Sequence, residues 1–155
     1  MDDYVSLDAF DSGFKTVFML ITTDSTSGIF YDQRNKNHII SNDARFVLLT
    51  RFDDIAYNWG NINGITYING KLNTKIVTTS LKMKKHLVCV VNSTADAIYT
   101  TTPTINQAAY NGNISSAKNK LYKFLGFKEA LTEERINAII KKYNLLDGVD
   151  DIEVS

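Results

Sequence analysis

Two histidines and one cysteine are the side chains of this 155-residue chain best suited to nucleophilic or metal chemistry. His86 and Cys89 stand three apart in the run Lys84-Lys85-His86-Leu87-Val88-Cys89-Val90-Val91-Asn92. A cysteine nucleophile needs its base within hydrogen-bond reach. The aliphatic, β-branched run around the pair reads as a strand, and strand residues three apart point to opposite faces. The pair therefore reads as a buried structural cysteine beside a partly exposed histidine. His38 has Asp24, Asp32 and Asp43 as sequence neighbours, the raw material of an acid–base pair. No spacing fixes their geometry, and the expectation is an ordinary histidine at a loop edge. With so few histidines and thiols a zinc site would lean on carboxylates, and a lone cysteine permits no internal disulfide.

Asp53-Asp54 has the composition of a magnesium ligand pair. On a helix, however, adjacent residues diverge by about 100°, so the two carboxylates read as a solvated face near Arg51. Gly60-Asn61-Ile62-Asn63-Gly64 lacks the lysine and Ser/Thr of a phosphate-binding loop and does not match the dinucleotide fingerprint. It reads as a flexible turn. No catalytic residue, metal or cofactor is assigned on these grounds.

The lysines form a clearer pattern. The net charge is zero, but residues 1–60 carry −4, residues 61–128 carry +8 and residues 129–155 carry −4. Such asymmetry between segments points to contact with a partner or a nucleic acid, unless the segments neutralise one another within the fold. Lys71, Lys75, Lys82, Lys84 and Lys85 lie on or beside a hairpin, and Lys118, Lys120, Lys123 and Lys128 follow later. With Tyr67 and Tyr122 nearby, a face built from them has the chemistry to meet phosphates and stack on bases. Arginine, which makes the bidentate contacts that specify bases, is absent from 61–128. The acidic tail of residues 147–155, with Asp147, Asp150, Asp151 and Glu153, is expected to dock on the chain's own basic segment or on a neighbour.

The elements that must position these groups are read from periodicity. Residues 14–23 are near-continuously apolar, as in a strand buried on both faces. A turn over 24–28 leads to a second strand at Ile29-Phe30-Tyr31, and residues 38–40 return as a short strand. Leu48, Leu49, Phe52, Ile55, Ala56 and Trp59 recur at helical spacing and predict a helix over 43–59; the competing reading makes 46–52 a strand. Asn69-Gly70, between β-rich runs at 64–68 and 72–79, is a strong hairpin signal. Residues 84–92 are a further strand.

Three helices are expected after that. Thr102-Pro103 opens the first, with Ile105, Ala108 and Ala109. Ser115 or Ser116 opens the second, with Ile114, Ala117, Leu121, Phe124 and Leu125 on one stripe and Gly126 as its stop. Thr132 caps the third. Glu133 and Glu134 sit on its N-terminal dipole, Lys141 and Lys142 lie near its C-terminus, and Ile136, Ile139, Ile140 and Tyr143 face inward. Residues 2–12 are a short helix or a docking arm.

The expected fold is thus α+β: a mainly antiparallel sheet with an inserted helix, followed by a C-terminal three-helix module. It forms a single domain over 1–155, with 1–92 mainly β, 93–146 helical and 147–155 an acidic tail. No run reaches the roughly 18 apolar residues of a membrane span, and the acidic N-terminal stretch has the wrong sign for a signal peptide. The location expected is the cytoplasm, or a particle assembled there. The function expected is non-enzymatic assembly or adaptor work, on itself or a protein partner through charge-complementary surfaces, as in a viral or phage particle. A nucleic-acid-associated protein using the lysine-rich middle is the first alternative. A small enzyme or an inhibitor of a host protein is the second.

Overall fold

The computed structural model describes residues 5–6, 14–23, 28–32, 47–50, 64–73, 83–92, 104–105 and 119–152. In chain order the strands are β1 (Val5–Ser6), β2 (Thr16–Thr23), β3 (Gly28–Asp32), β4 (Val47–Thr50), β5 (Gly64–Ile68), β6 (Lys71–Asn73), β7 (His86–Asn92), β8 (Thr104–Ile105) and β9 (Asn119–Phe127). One helix, α1 (Glu133–Lys142), follows them. They form a five-stranded sheet in the order β6-β5-β7-β2-β9 and a four-stranded sheet in the order β1-β8-β3-β4. All their pairings are antiparallel. Among the described residues no helix is long and apolar enough to cross a membrane.

Alternation along β2 organises the larger sheet. Phe18 pairs with Cys89 of β7 and Leu125 of β9, and Leu20 pairs with Leu87 and Lys123. These residues face α1, where Phe18, Leu20, Tyr67, Leu87, Cys89 and Val91 close over Leu131, Ile136, Ile140 and Leu145. Val17, Met19, Ile21, Ile68, Val88 and Val90 alternate to the opposite face and are buried as fully. The middle of β2 is buried on both faces, so residues 17–21 read in the sequence as an unbroken apolar run.

The β5–β6 turn follows the hairpin rule. Asn69 and Gly70 adopt φ of 48° and 79°, the left-handed values that a type I′ turn needs. The turn also lies beneath the helix, since a Cβ on Gly70 would come within 3.3 Å of Ile140 Cδ1. Asn69 then extends the ladder with its own side chain. Its N–H donates to Leu87 O at 2.9 Å, and its Oδ1 accepts from Leu87 N–H at 2.8 Å.

Thr16 fixes the approach of α1. Its buried hydroxyl donates to Glu129 O at 2.7 Å and accepts from Leu131 N–H at 3.0 Å. That one side chain satisfies two backbone groups of the β9–α1 connection, which would otherwise be left without these partners on leaving water. Thr132 caps the helix as expected, its Oγ1 accepting from Arg135 N–H, with Glu133 and Glu134 in the first turn and Lys141 and Lys142 in the last.

The expected three-helix module does not form. Asn119–Phe127 is strand β9, paired along β2. The register explains why it reads as helical. Between Leu20↔Lys123 and Ile21↔Leu121 the pairing advances one residue on β2 and two on β9, so Tyr122 is an extra residue, a β-bulge. The bulge breaks the two-residue alternation and leaves Leu121, Phe124 and Leu125 at helix-like spacing. Gly126 is no helix stop. A Cβ there would sit 2.6 Å from the ring of buried Phe14, which packs edge-on against Phe124. Thr104–Ile105, expected in the first of the three helices, is β8 between β1 and β3.

The inserted helix is corrected too. Val47–Thr50 pairs with β3 as β4, in keeping with the competing strand reading. The rest of 43–59 lies outside the described residues, as do the short strand at 38–40, the run at 74–79, and Ala108 and Ala109. In the acidic stretch of 2–12, Val5–Ser6 is β1. Tyr143, expected to face inward, is exposed.

The contact at Gly126 predicts that Gly126→Ala lowers the unfolding free energy by about 1–3 kcal/mol, the usual range for overpacking a filled site. Phe14→Leu in the same chain is expected to recover part of that loss, measured by urea denaturation of the single and double variants.

Candidate functional site

His86 opens β7 on the face that carries Val88 and Val90, and Cys89 points the other way, towards α1. Their side chains lie on opposite sides of the sheet, so they form no dyad, as the strand reading requires. The histidine is not partly exposed, however; both residues have a relative exposure of 0%. His86 Nδ1 lies 2.7 Å from Lys84 O, and because a carbonyl only accepts, Nδ1 carries the proton. Burial pushes the His86 pKa down to about 4; the Lys84 carbonyl and Asp150 oppose that shift without cancelling it. Burial likewise pushes the Cys89 thiol up, away from the reactive thiolate. The Tyr67 hydroxyl is raised by burial, with Glu133 and Cys89 adding to it.

His38, Asp24, Asp43, Asp53, Asp54 and most of the Gly60–Gly64 loop lie outside the described residues. Among the described residues, no three or more His, Cys, Asp or Glu side chains gather in a metal-binding group.

The lysines divide into two sets. Lys71 is exposed on β6, at the far edge of the sheet, and Lys84 and Lys85 are half-buried just before β7. Lys120 and Lys123 are exposed on β9. Lys75, Lys82, Lys118 and Glu153 lie outside the described residues. Tyr67 is buried and offers no ring for stacking, whereas Tyr122 is 47% exposed.

The described part of the acidic tail docks on its own chain. Asp150 Oδ2 accepts from Lys85 N–H at 2.5 Å, and Asp150 N–H donates to Lys85 O at 2.8 Å. Lys85 Nζ donates to Asp147 O at 3.3 Å, and Asn69 Nδ2 donates to Asp150 O at 3.2 Å. Ile152 is buried and anchors the segment, while Asp147, Asp150 and Asp151 stay exposed. Gly148 turns the chain at φ 66°, and a Cβ there would lie 3.2 Å from Lys85 Nζ.

The helix ends in a Schellman motif. Asn144, at φ 49°, donates to Lys141 O at 3.2 Å, and Leu145 N–H donates to Ile140 O at 3.0 Å. Lys123 Nζ adds a cation to this terminus, reaching the carbonyls of Tyr143 at 3.2 Å and Asn144 at 3.5 Å. Those acceptors are neutral peptide groups. Lys85 Nζ lies 4.7 Å from the centre of the Tyr122 ring, and Lys142 Nζ lies 5.3 Å from that of Tyr143.

These contacts bring the start of β9 and the end of α1 into one corner. Exposed Tyr122 and Tyr143 lie there with Lys123 and Lys142, and Lys120 and Leu146 follow on the same two elements. Lys123, Phe124, Leu125, Tyr143 and Leu145 line an open notch of about 220 Å³ there. Lys142, Tyr143 and Leu146 were not singled out from the sequence as surface groups. The available signal was Asn144, a residue tolerated at the left-handed C′ position, which makes Tyr143 the helix cap and turns it outward.

No protein family matches this chain, and neither the curated proteins nor the solved structures contain a match to it.

The buried histidine predicts an acid-side loss of stability. The folded pKa lies below the ordinary 6.5, so the unfolded chain takes up a proton that the folded chain refuses. Stability relative to a His86→Gln variant is full above pH 6.5 and falls as pH drops towards about 4, levelling off below. The total fall expected is roughly 3 kcal/mol, read from urea unfolding of both proteins at pH 7, 5 and 4.

Proposed function

We propose that this chain is a non-enzymatic assembly or adaptor protein that binds itself or a protein partner through a charged surface, as a component of a viral or phage particle would. The reading is supported by the corner where β9 meets the end of α1. Exposed tyrosines, the residue type enriched at protein contact sites, lie there on a strand and a helix end beside lysines that supply charge at the rim. The burial of His86 and Cys89 on opposite faces takes away the one nucleophile–base pairing suggested by the sequence.

The docking of Asp147 and Asp150 around Lys85 withdraws one part of the expected electrostatics. That anionic segment is engaged within its own molecule, so support for the reading comes from Lys120, Lys123 and Lys142 rather than from exchange of acidic arms between neighbours. Nucleic acid is the less favoured partner. Base stacking uses the faces of exposed rings, yet Tyr67 is buried, and Tyr122 and Tyr143 each already have an ammonium close to the ring.

Size-exclusion chromatography with light scattering tests the proposal. The expected result is a concentration-dependent oligomer, or a defined complex with a co-expressed protein, that loosens between 0.1 M and 0.5 M salt. A monomer at every concentration up to several hundred micromolar, with no salt-sensitive protein complex, contradicts it.

A further inference from the structure

The notch between β9 and the last turn of α1 is small, open and largely apolar in lining, with Lys123 among its lining residues. Leu125, Tyr143, Leu145 and Lys123 line it, and Phe124, whose ring turns to the other face of the sheet against Phe14, borders it. Its volume of about 220 Å³ suits one large side chain rather than a metabolite, since small-molecule sites usually begin near 300 Å³. The walls are firmly held. Leu145 is buried in the core and sits at the Schellman position of the helix, and Leu125 pairs with Phe18 of β2.

The basic side chains near the notch come from both β9 and α1. Lys120 pairs with Thr22, and hence lies on the α1 side of the sheet together with Lys123. Lys142 Nζ lies 5.3 Å from the centre of the ring of Tyr143, one of the lining residues. Lys123 uses its hydrogen bonds on two neutral carbonyls, which leave its positive charge in place. Of the tail carboxylates, Asp150 is bonded at the Lys85 N–H, while Asp147 and Asp151 are exposed.

We infer that this corner is a docking site for an acidic peptide segment of a partner protein, which seats one aromatic or branched aliphatic side chain in the notch and sets carboxylates against Lys120, Lys123 and Lys142. The chain's own acidic tail gives a partial precedent beside Lys85, where Asp150 is held by a backbone N–H and Ile152 is buried. The inference rests on the binding role proposed above and deepens it by naming the surface and the class of partner.

Fluorescence polarisation with a labelled acidic dodecapeptide carrying one central phenylalanine provides the test, using the full chain. The peptide is expected to bind in the micromolar range at low salt. Replacing its phenylalanine with alanine is expected to weaken binding at least tenfold, and the Lys120→Glu, Lys142→Glu double variant at least tenfold as well. Both substitutions lie on exposed side chains, and thermal melting followed by circular dichroism confirms that the variant is folded. Lys71→Glu, at the far edge of the sheet, is expected to leave affinity unchanged. Should the double variant melt early, Tyr143→Ala provides the second reading, again with a tenfold loss expected. No binding at 1 mM peptide, binding indifferent to the phenylalanine or to these variants, or tighter binding of a twelve-residue oligothymidylate overturns the inference. If a protein complex forms in light scattering and survives the double variant, the binding role stands and this site alone is wrong.

Discussion

Strand β2 is enclosed in every direction that a strand can be. β7 occupies one edge and β9 the other, α1 packs over Phe18 and Leu20, and Val17, Met19 and Ile21 are buried on the reverse face. Each buried aliphatic or aromatic side chain contributes about 1.5–3 kcal/mol relative to exposure, so the strand concentrates a large share of the stabilising burial in a few residues. Its first residue, Thr16, also holds the connection that places α1. The consequence reaches the surface. β9 runs along the edge of β2, and Lys123, next to the bulge at Tyr122, reaches the carbonyls at the end of the helix.

The features legible in the sequence were those with local causes. The apolar run of β2, the Asn69-Gly70 turn and the Thr132 cap each depend on a residue type at a particular position, and each formed where it was expected. Asn119–Phe127 failed for the opposite reason. Its strand state depends on pairing with residues about a hundred positions earlier, and a single bulge residue gave it the spacing of a helix. Val47–Thr50 shows the same conflict on a smaller scale, with a helical stripe read across a strand that pairs with β3. Gly126 was read as a terminator because the Phe14 ring that requires it lies far away in sequence.

The candidate surface was legible in composition and not in partnership. Charge counting located the lysines and the acidic tail, but it carries no information on which of them meet. Lys85 turned inward to Asp147 and Asp150, and Lys123 turned to the end of α1, where the helix carbonyls provide a neutral and attractive terminus. Part of the opposition between basic middle and acidic end is thus resolved within the molecule, through backbone groups more than through ion pairs. The exposed ion pair of Arg135 and Glu129 adds little, since solvent screens such contacts. Lys123 remains at an apolar notch lined also by exposed Tyr143, with Lys142 close to that ring.

This account depends on the C-terminal segment lying along its own sheet, because a detached tail would remove the mark of self-docking and change the charge of the whole corner. Amide hydrogen exchange reports on it directly. The account predicts that the Lys85 and Asp150 amides are both protected, and that Asp150→Ala speeds exchange at Lys85 while leaving Phe18 and Leu20 of β2 slow. Exchange at Lys85 and Asp150 at the rate of an unstructured peptide in the unaltered protein would contradict it.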